Sequence, residues 1–292
     1  MCSNFTYCFK FGAAVKKIIF VGVFILAFVV GMIFVLNPSH TPLRTMKSSI
    51  LPKTPVDVAS IISQNDNGIS LLDNLKIRAH SGDPIAQYEL GLVYFKGKEI
   101  NLNLKLAAQW FEKAAKQGNS TAQFLLANMY FEGKEFPQDE QLGIYWLKKS
   151  AKQGYIDAQH VLGEMYYKGQ GVPENDQSAK TWLLKAALKN HNLAQYTLAG
   201  IYLDEKNFTQ AHIWLEKSAL QENNLSLTLL GELTRDGHGV PKNLGVAHKW
   251  FTIAANKDYK RAIEKRSEIE HEMNFDQLEE SKRLVQKWKN NN

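Results

Sequence analysis

A 36-residue period runs through most of this chain and leaves few folds open to it. Ala86-Gln87, Ala122-Gln123, Ala158-Gln159 and Ala194-Gln195 recur at that interval, and Trp110, Trp146, Trp182, Trp214 and Trp250 follow at 36, 36, 32 and 36. Each period carries Leu-Gly or Leu-Ala and a Tyr three positions on: Gly91 with Tyr94, Ala127 with Tyr130, Gly163 with Tyr166, Ala199 with Tyr202. A second half-period places a small residue before each Trp (Ala107, Gly143, Ala179, Ala211, Ala247) and a small pair after it, such as Ala114-Ala115 and Ala254-Ala255. Ala86, Leu90 and Val93 form one apolar stripe at helical spacing, and Ala107, Trp110, Phe111 and Ala114 form another, which is the pattern of two amphipathic helices per period. A single pair cannot bury both stripes. Stacked copies can, so the chain is expected to be a solenoid of about six helix pairs.

These residues resemble the Sel-one-like repeat family, the branch of the tetratricopeptide superfamily with a longer loop between its helices. Gly169-Gln170-Gly171-Val172-Pro173 and Gly237-His238-Gly239-Val240-Pro241 are similar to that family's loop signature. The resemblance implies an all-α, α/α superhelical solenoid over residues 69–292, with units at about 86–121, 122–157, 158–193, 194–225 and 226–261 and caps at 69–85 and 262–292. Within it, Gly91, Gly163 and Gly231 let the paired helices approach while the Trp fills the gap beside them, so Trp182→Ala is expected to open a core cavity. Gly97, Gly133, Gly169 and Gly237 sit where a left-handed residue ends a helix. The fourth unit is shorter, with Asp204-Glu205-Lys206-Asn207 in place of the Gly-rich loop. Asn274 is placed to cap a last helix bearing Leu278, Ser281, Val285 and Trp288 on one face.

Ahead of the repeats, residues 18–36 form an uncharged apolar run of nineteen residues. As a helix it reaches about 28 Å, close to the roughly 30 Å hydrocarbon core of a bilayer. It exceeds a usual signal-peptide h-region and lacks a small-residue cleavage site, so an uncleaved transmembrane helix is expected. Lys16 and Lys17 abut it directly, which favours a cytoplasmic tail at 1–17 and repeats on the far side, periplasmic if the membrane is a bacterial inner membrane. Residues 37–68, with Pro38, Pro42, Pro52 and Pro55 among Ser, Thr and Asn, read as a tether. Both cysteines, Cys2 and Cys8, lie in the tail, and the repeats carry none, which is compatible with export.

Charge narrows the partners. The chain has 35 Lys and Arg against 29 Asp and Glu, a formal +6, and most of that excess lies before residue 69. The repeats therefore show no basic nucleic-acid footprint. No H-E-x-x-H, G-x-S-x-G or P-loop is present, and no cysteine is available to share a metal with the eight His. No enzyme activity, cofactor or metal is expected. His212 and His248, two before Trp214 and Trp250, read as an exposed helix face.

The remaining signal lies on the first helix of each unit. Opposite the core stripe runs a second stripe, which the superfamily turns into a concave groove. It holds Tyr88, Leu92 and Phe95, then Phe124, Asn128 and Phe131, then His160, Glu164 and Tyr167, then Tyr196, Gly200 and Leu203, then Thr228, Glu232 and Arg235. Aromatic anchors giving way to polar groups suit an extended peptide or a partner helix; the same rings could also pack against the neighbouring unit. The resemblance implies a protein-interaction scaffold of the cell envelope, with a host-interaction factor of an intracellular bacterium as the alternative. A cell-wall or β-lactam-acting enzyme is less favoured, because such relatives staple each unit with a disulfide. No small-molecule substrate is expected.

Overall fold

The computed structural model describes residues 70–97, 100–133 and 137–291, all within one compact unit, Ser48–Asn292. The expected tail, membrane span and tether lie outside the described residues. Among those described, no helix is long and apolar enough to cross a membrane.

Among the described residues thirteen α-helices follow one another: α1 (Leu71–His80), α2 (Pro84–Lys96), α3 (Leu104–Lys116), α4 (Ser120–Glu132), α5 (Glu140–Lys152), α6 (Ile156–Lys168), α7 (Asp176–Ala187), α8 (Asn192–Asp204), α9 (Phe208–Ala219), α10 (Asn224–Asp236), α11 (Leu244–Ala255), α12 (Lys260–Glu270) and α13 (Phe275–Asn291). After the lone α1, each of α2, α4, α6, α8 and α10 opens a unit and pairs with the helix that follows it, which we call helix A and helix B; α12, in the helix A position, and α13 both pack on α11. Short side chains start them. Asp83, Asn119 and Asn223 accept a hydrogen bond from the first-turn backbone of α2, α4 and α10, and Asn103, Asp139, Asn175 and Asn243 do so for helices B. At α13 the Asn274 side chain accepts from Gln277 N while Gln277 Oε1 accepts from Asn274 N, both at 3.0 Å, a reciprocal cap. Helices A end on Gly97, Gly133, Gly169 and Gly237 at φ 60°, 60°, 63° and 76°. The short fourth unit instead turns through Lys206 at φ 58°.

The pairing of A with B differs in one respect from expectation. The side chain facing the helix A glycine belongs to the residue after each Trp: a Cβ on Gly91 would lie 2.6 Å from the Phe111 ring, and one on Gly163 would lie 2.6 Å from Leu183 Cγ. Phe111, Leu147, Leu183, Leu215 and Phe251 are all 0% exposed. One residue is a 100° rotation on a helix, so each Trp points instead to the junction between units, as Trp110 does against Leu75 and Ala79 of α1. Trp182 is half-exposed. A lysine three residues on covers each of the first four indoles: Lys113, Lys149, Lys185 and Lys217 lie 4.0, 5.2, 4.2 and 4.4 Å from the ring centroids. Trp182 is therefore a boundary residue, more exposed than Trp110, Trp146, Trp214 and Trp250, and its removal is expected to open a smaller cavity than loss of a fully buried ring.

The end of the solenoid is sealed by a polar clasp. His248 is not on an exposed face. It is buried, with Nδ1 2.7 Å from Ser281 Oγ and Nε2 3.0 Å from Glu270 Oε1, because α12 and α13 close over it. Trp288 of α13 packs edge-on against Trp250 at 5.3 Å.

Candidate partner-binding site

Helices A touch one another at two places, α6 with α8 and α10 with α12, as expected if their layer is the concave side. Side chains bridge it. The Tyr167 hydroxyl donates to the Asp204 carboxylate, and Arg261 Nη2 donates to Glu232 Oε1 at 2.8 Å.

Along this layer twelve residues of the expected stripe, those other than Gly200, Leu203 and Thr228, divide into two groups. Tyr88, Phe95, Glu164, Tyr167, Tyr196, Glu232 and Arg235 stay half-buried, with the Tyr88 and Phe95 rings 6.2 and 6.1 Å from Phe111 of helix B. Leu92, Phe124, Asn128, Phe131 and His160 do not: they are 1, 3, 6, 8 and 8% exposed. Neighbouring turns cover part of the stripe. Phe124 packs on Tyr155 with centroids 5.1 Å apart, and His160 packs on His191 at 4.6 Å. Phe131 is driven under its own helix B, where a Cβ on Gly143 would lie 2.5 Å from its ring. Thr228 is closed off too, its hydroxyl donating to Asn224 O at 2.8 Å. These side chains belong to the packing of the solenoid.

The charges on the inner surface are largely matched within the protein. Lys168 Nζ lies 3.3 Å from Glu164 Oε1, and Arg235 donates from Nε to Asp236 at 2.8 Å. Burial pushes the Tyr88 hydroxyl up to about 12, and raises Tyr155 and Tyr167 as well. These phenols stay neutral and offer an apolar face with one hydroxyl each, a form of anchor common at protein interfaces.

A cavity of about 520 Å³ opens where the turns of units two, three and four meet, lined in part by Thr121, Gln153, Tyr155, Asp157, Lys189 and His191. The sequence reading missed it because its walls come from turns rather than from the helix A stripe. His191 Nδ1 accepts from Ala194 N at 3.1 Å as the cap of α8, so its proton sits on Nε2, 3.2 Å from Asp157 Oδ1. Behind it His160 is neutral, pushed down to about 4 chiefly by burial. Among the described residues, no group of His, Cys, Asp or Glu side chains is placed to hold a metal.

Comparison with known proteins fits this architecture. The Sel1 repeat model matches residues 84–119, 120–155, 156–191, 190–223 and 225–259, more than half of the chain. The chain belongs to the Sel1 repeat family. A solved Sel1 repeat protein from Oxalobacter formigenes superimposes with a TM-score of 0.60 at 25% identity, over 64% of this chain and 78% of that one. The secretory immunoglobulin A-binding protein EsiB of Escherichia coli O6:H1 is 38% identical over 69 residues, 24% of this chain and 14% of that protein. A Sel1-like repeat protein of Acanthamoeba polyphaga mimivirus is 40% identical over 45 residues, 15% of this chain and 8% of that one. The chain thus spans a small part of the curated relatives it matches. Sel1 repeat proteins are protein-interaction scaffolds that bind protein partners, and they are in general not enzymes.

Proposed function

We propose that this Sel1 repeat protein is a membrane-tethered adaptor of the bacterial cell envelope that holds a protein or peptide against the inner face of its solenoid. The observation that carries the binding surface is the row of half-buried, neutral aromatic residues on helices A, namely Tyr88, Phe95, Tyr167 and Tyr196, flanked by internally paired charges. Such a surface offers rigid anchors with little desolvation of unpaired charge. The tether rests on the apolar run at 18–36 and the lysines before it. A second reading, a surface factor engaging a host protein, is favoured by the immunoglobulin-binding relative.

The two halves of the proposal have separate tests. In membranes from cells expressing the full chain, alkaline carbonate should leave it in the pellet, and an external protease should digest the repeats only once the membrane is opened from the periplasmic side. Extraction by carbonate, or repeats cut from the cytoplasmic side, contradicts the tether and its orientation. Pairing Phe95→Ala with Tyr167→Ala should reduce partner co-purification by about tenfold or more at unchanged helical content. Full retention would remove the inner face from the account.

A further inference from the structure

The six turns that lead into α2, α4, α6, α8, α10 and α12 form one continuous edge of the solenoid, because each is tied to the next. Gln117 Nε2 donates to Gly82 O at 2.9 Å, Gln153 Nε2 to Gln123 Oε1 at 2.7 Å, Lys189 Nζ to Gly154 O at 2.8 Å and Gln221 Nε2 to Asn190 Oδ1 at 3.1 Å, and Lys257 pairs with Glu222 at 2.5 Å. Large apolar side chains stand out along this edge. Ile77 and Ile85 flank the first turn, Leu188 and Leu193 the fourth, and Leu220 and Leu225 the fifth; all six are exposed, Leu188 by 69% and Leu220 by 58%.

Charge separates this edge from the opposite one. Residues 77–87, 113–123, 149–159, 184–195, 216–227 and 252–263 hold eleven Lys and Arg against five Asp and Glu. The described residues of the opposite turns, 93–97, 100–107, 129–133, 137–143, 165–179, 201–211, 233–247 and 267–278, hold six against twelve. On the basic edge Asp83 is taken by Arg78, Asp157 by His191 and Glu222 by Lys257. Lys152 and Lys185 have no carboxylate partner among the described residues. Lys113, Lys149, Lys185 and Lys217 are exposed and lie over indole rings, so their stems follow apolar surface while the charge stays at the water boundary. Pairs of apolar side chains on separate turns make no contiguous patch for a protein partner. Shallow insertion of such side chains, added to the attraction of lysines for anionic headgroups, is the way a peripheral protein holds a lipid surface.

We propose that this edge lies against an anionic phospholipid surface, with Leu188 and Leu220 entering the headgroup layer and the lysines facing its phosphates. The inference goes beyond the partner-binding reading, since it uses a different face and leaves helices A open to a partner. For the test, the full chain with Cys2→Ser and Cys8→Ser carries an environment-sensitive dye on Leu188→Cys. It is reconstituted into vesicles of phosphatidylcholine alone, or of phosphatidylcholine and phosphatidylglycerol in equal parts, each containing brominated lipid as a quencher. In the mixed vesicles the dye should be quenched; in phosphatidylcholine alone, or at raised salt, it should not. The same dye on Leu142→Cys, in the first turn of α5 at the opposite edge, should stay bright throughout. Lys152→Glu with Lys217→Glu, both exposed, should cut the quenching at position 188 by about fivefold or more at unchanged helical content. Quenching that is absent, equal in the two kinds of vesicle, equal at positions 188 and 142, or indifferent to the lysine reversal would overturn the proposal. So would loss of partner co-purification in the reversed chain at unchanged quenching, which would assign the edge to a protein. The contact does not depend on the span at 18–36, because an unanchored chain would still be drawn to the mixed vesicles and released by salt. Carbonate extraction and dye quenching therefore fail independently.

Discussion

Phe251→Ala is expected to cost about 3–5 kcal/mol of folding stability. The ring is 0% exposed and packs with Leu244, Ala247 and Ile269, where the last complete unit meets the terminal cap. Gly231 makes the fit possible, since a Cβ there would collide with the Phe251 ring. The surrounding helices are held by the His248 clasp and the Trp250–Trp288 contact, so they cannot collapse far into the space. Trp182→Ala removes a larger side chain but should cost only roughly 1–2 kcal/mol, because that indole is half-exposed and covered on one face by Lys185. Urea denaturation of both variants checks the ordering. A Trp182→Ala loss equal to or greater than that of Phe251→Ala would contradict the placing of Trp182 at the boundary and of Phe251 in the closed core.

Acid should weaken the protein through one buried histidine. His160 is lowered from the ordinary 6.5 to about 4, first by burial and then, more weakly, by the neighbouring His191, while Glu164 pulls in the opposite direction. The unfolded chain therefore binds a proton at this site before the folded chain does. The associated stability is fully present above pH 6.5 and is lost as pH falls from there towards 4. A displacement of this size corresponds to about 3 kcal/mol. Comparing urea midpoints at neutral pH and near pH 4 for the wild type and for His160→Phe isolates the contribution. The variant should lose less stability over that interval. Parallel curves would mean that the imidazole is charged, or solvated, in the folded state.

The repeat architecture was legible in the sequence because its signals are local and periodic. The small residues at 91, 163 and 231 appear as close helix contacts, the glycines at 97, 133, 169 and 237 as left-handed helix ends, and Asn274 as a helix cap. What escaped depends on which neighbour covers a face, and a period along one helix does not record that. Phe124 and His160 share the spacing of Tyr88 and Tyr196 yet are buried, since Tyr155 and His191 from the adjoining turns lie over them. His248 occupies a phase filled elsewhere by Ala108, Ile144 and Lys180, and only the docking of α13 makes it interior. The bonds between units were half visible: Gln87, Gln123 and Gln195 mark the period, but their partners Gln117, Gln153 and Gln221 lie thirty or twenty-six residues away.

The central claim is that the inner face of helices A is where a partner sits. A photo-crosslinking residue placed at Tyr196 in the full chain inside cells, beside a control at Lys148 on a helix B, tests it most directly. The account predicts a discrete protein adduct from position 196, absent from position 148 and lost when Phe95→Ala and Tyr167→Ala are introduced. An adduct from position 148 alone, or one from position 196 that survives those substitutions, would contradict it.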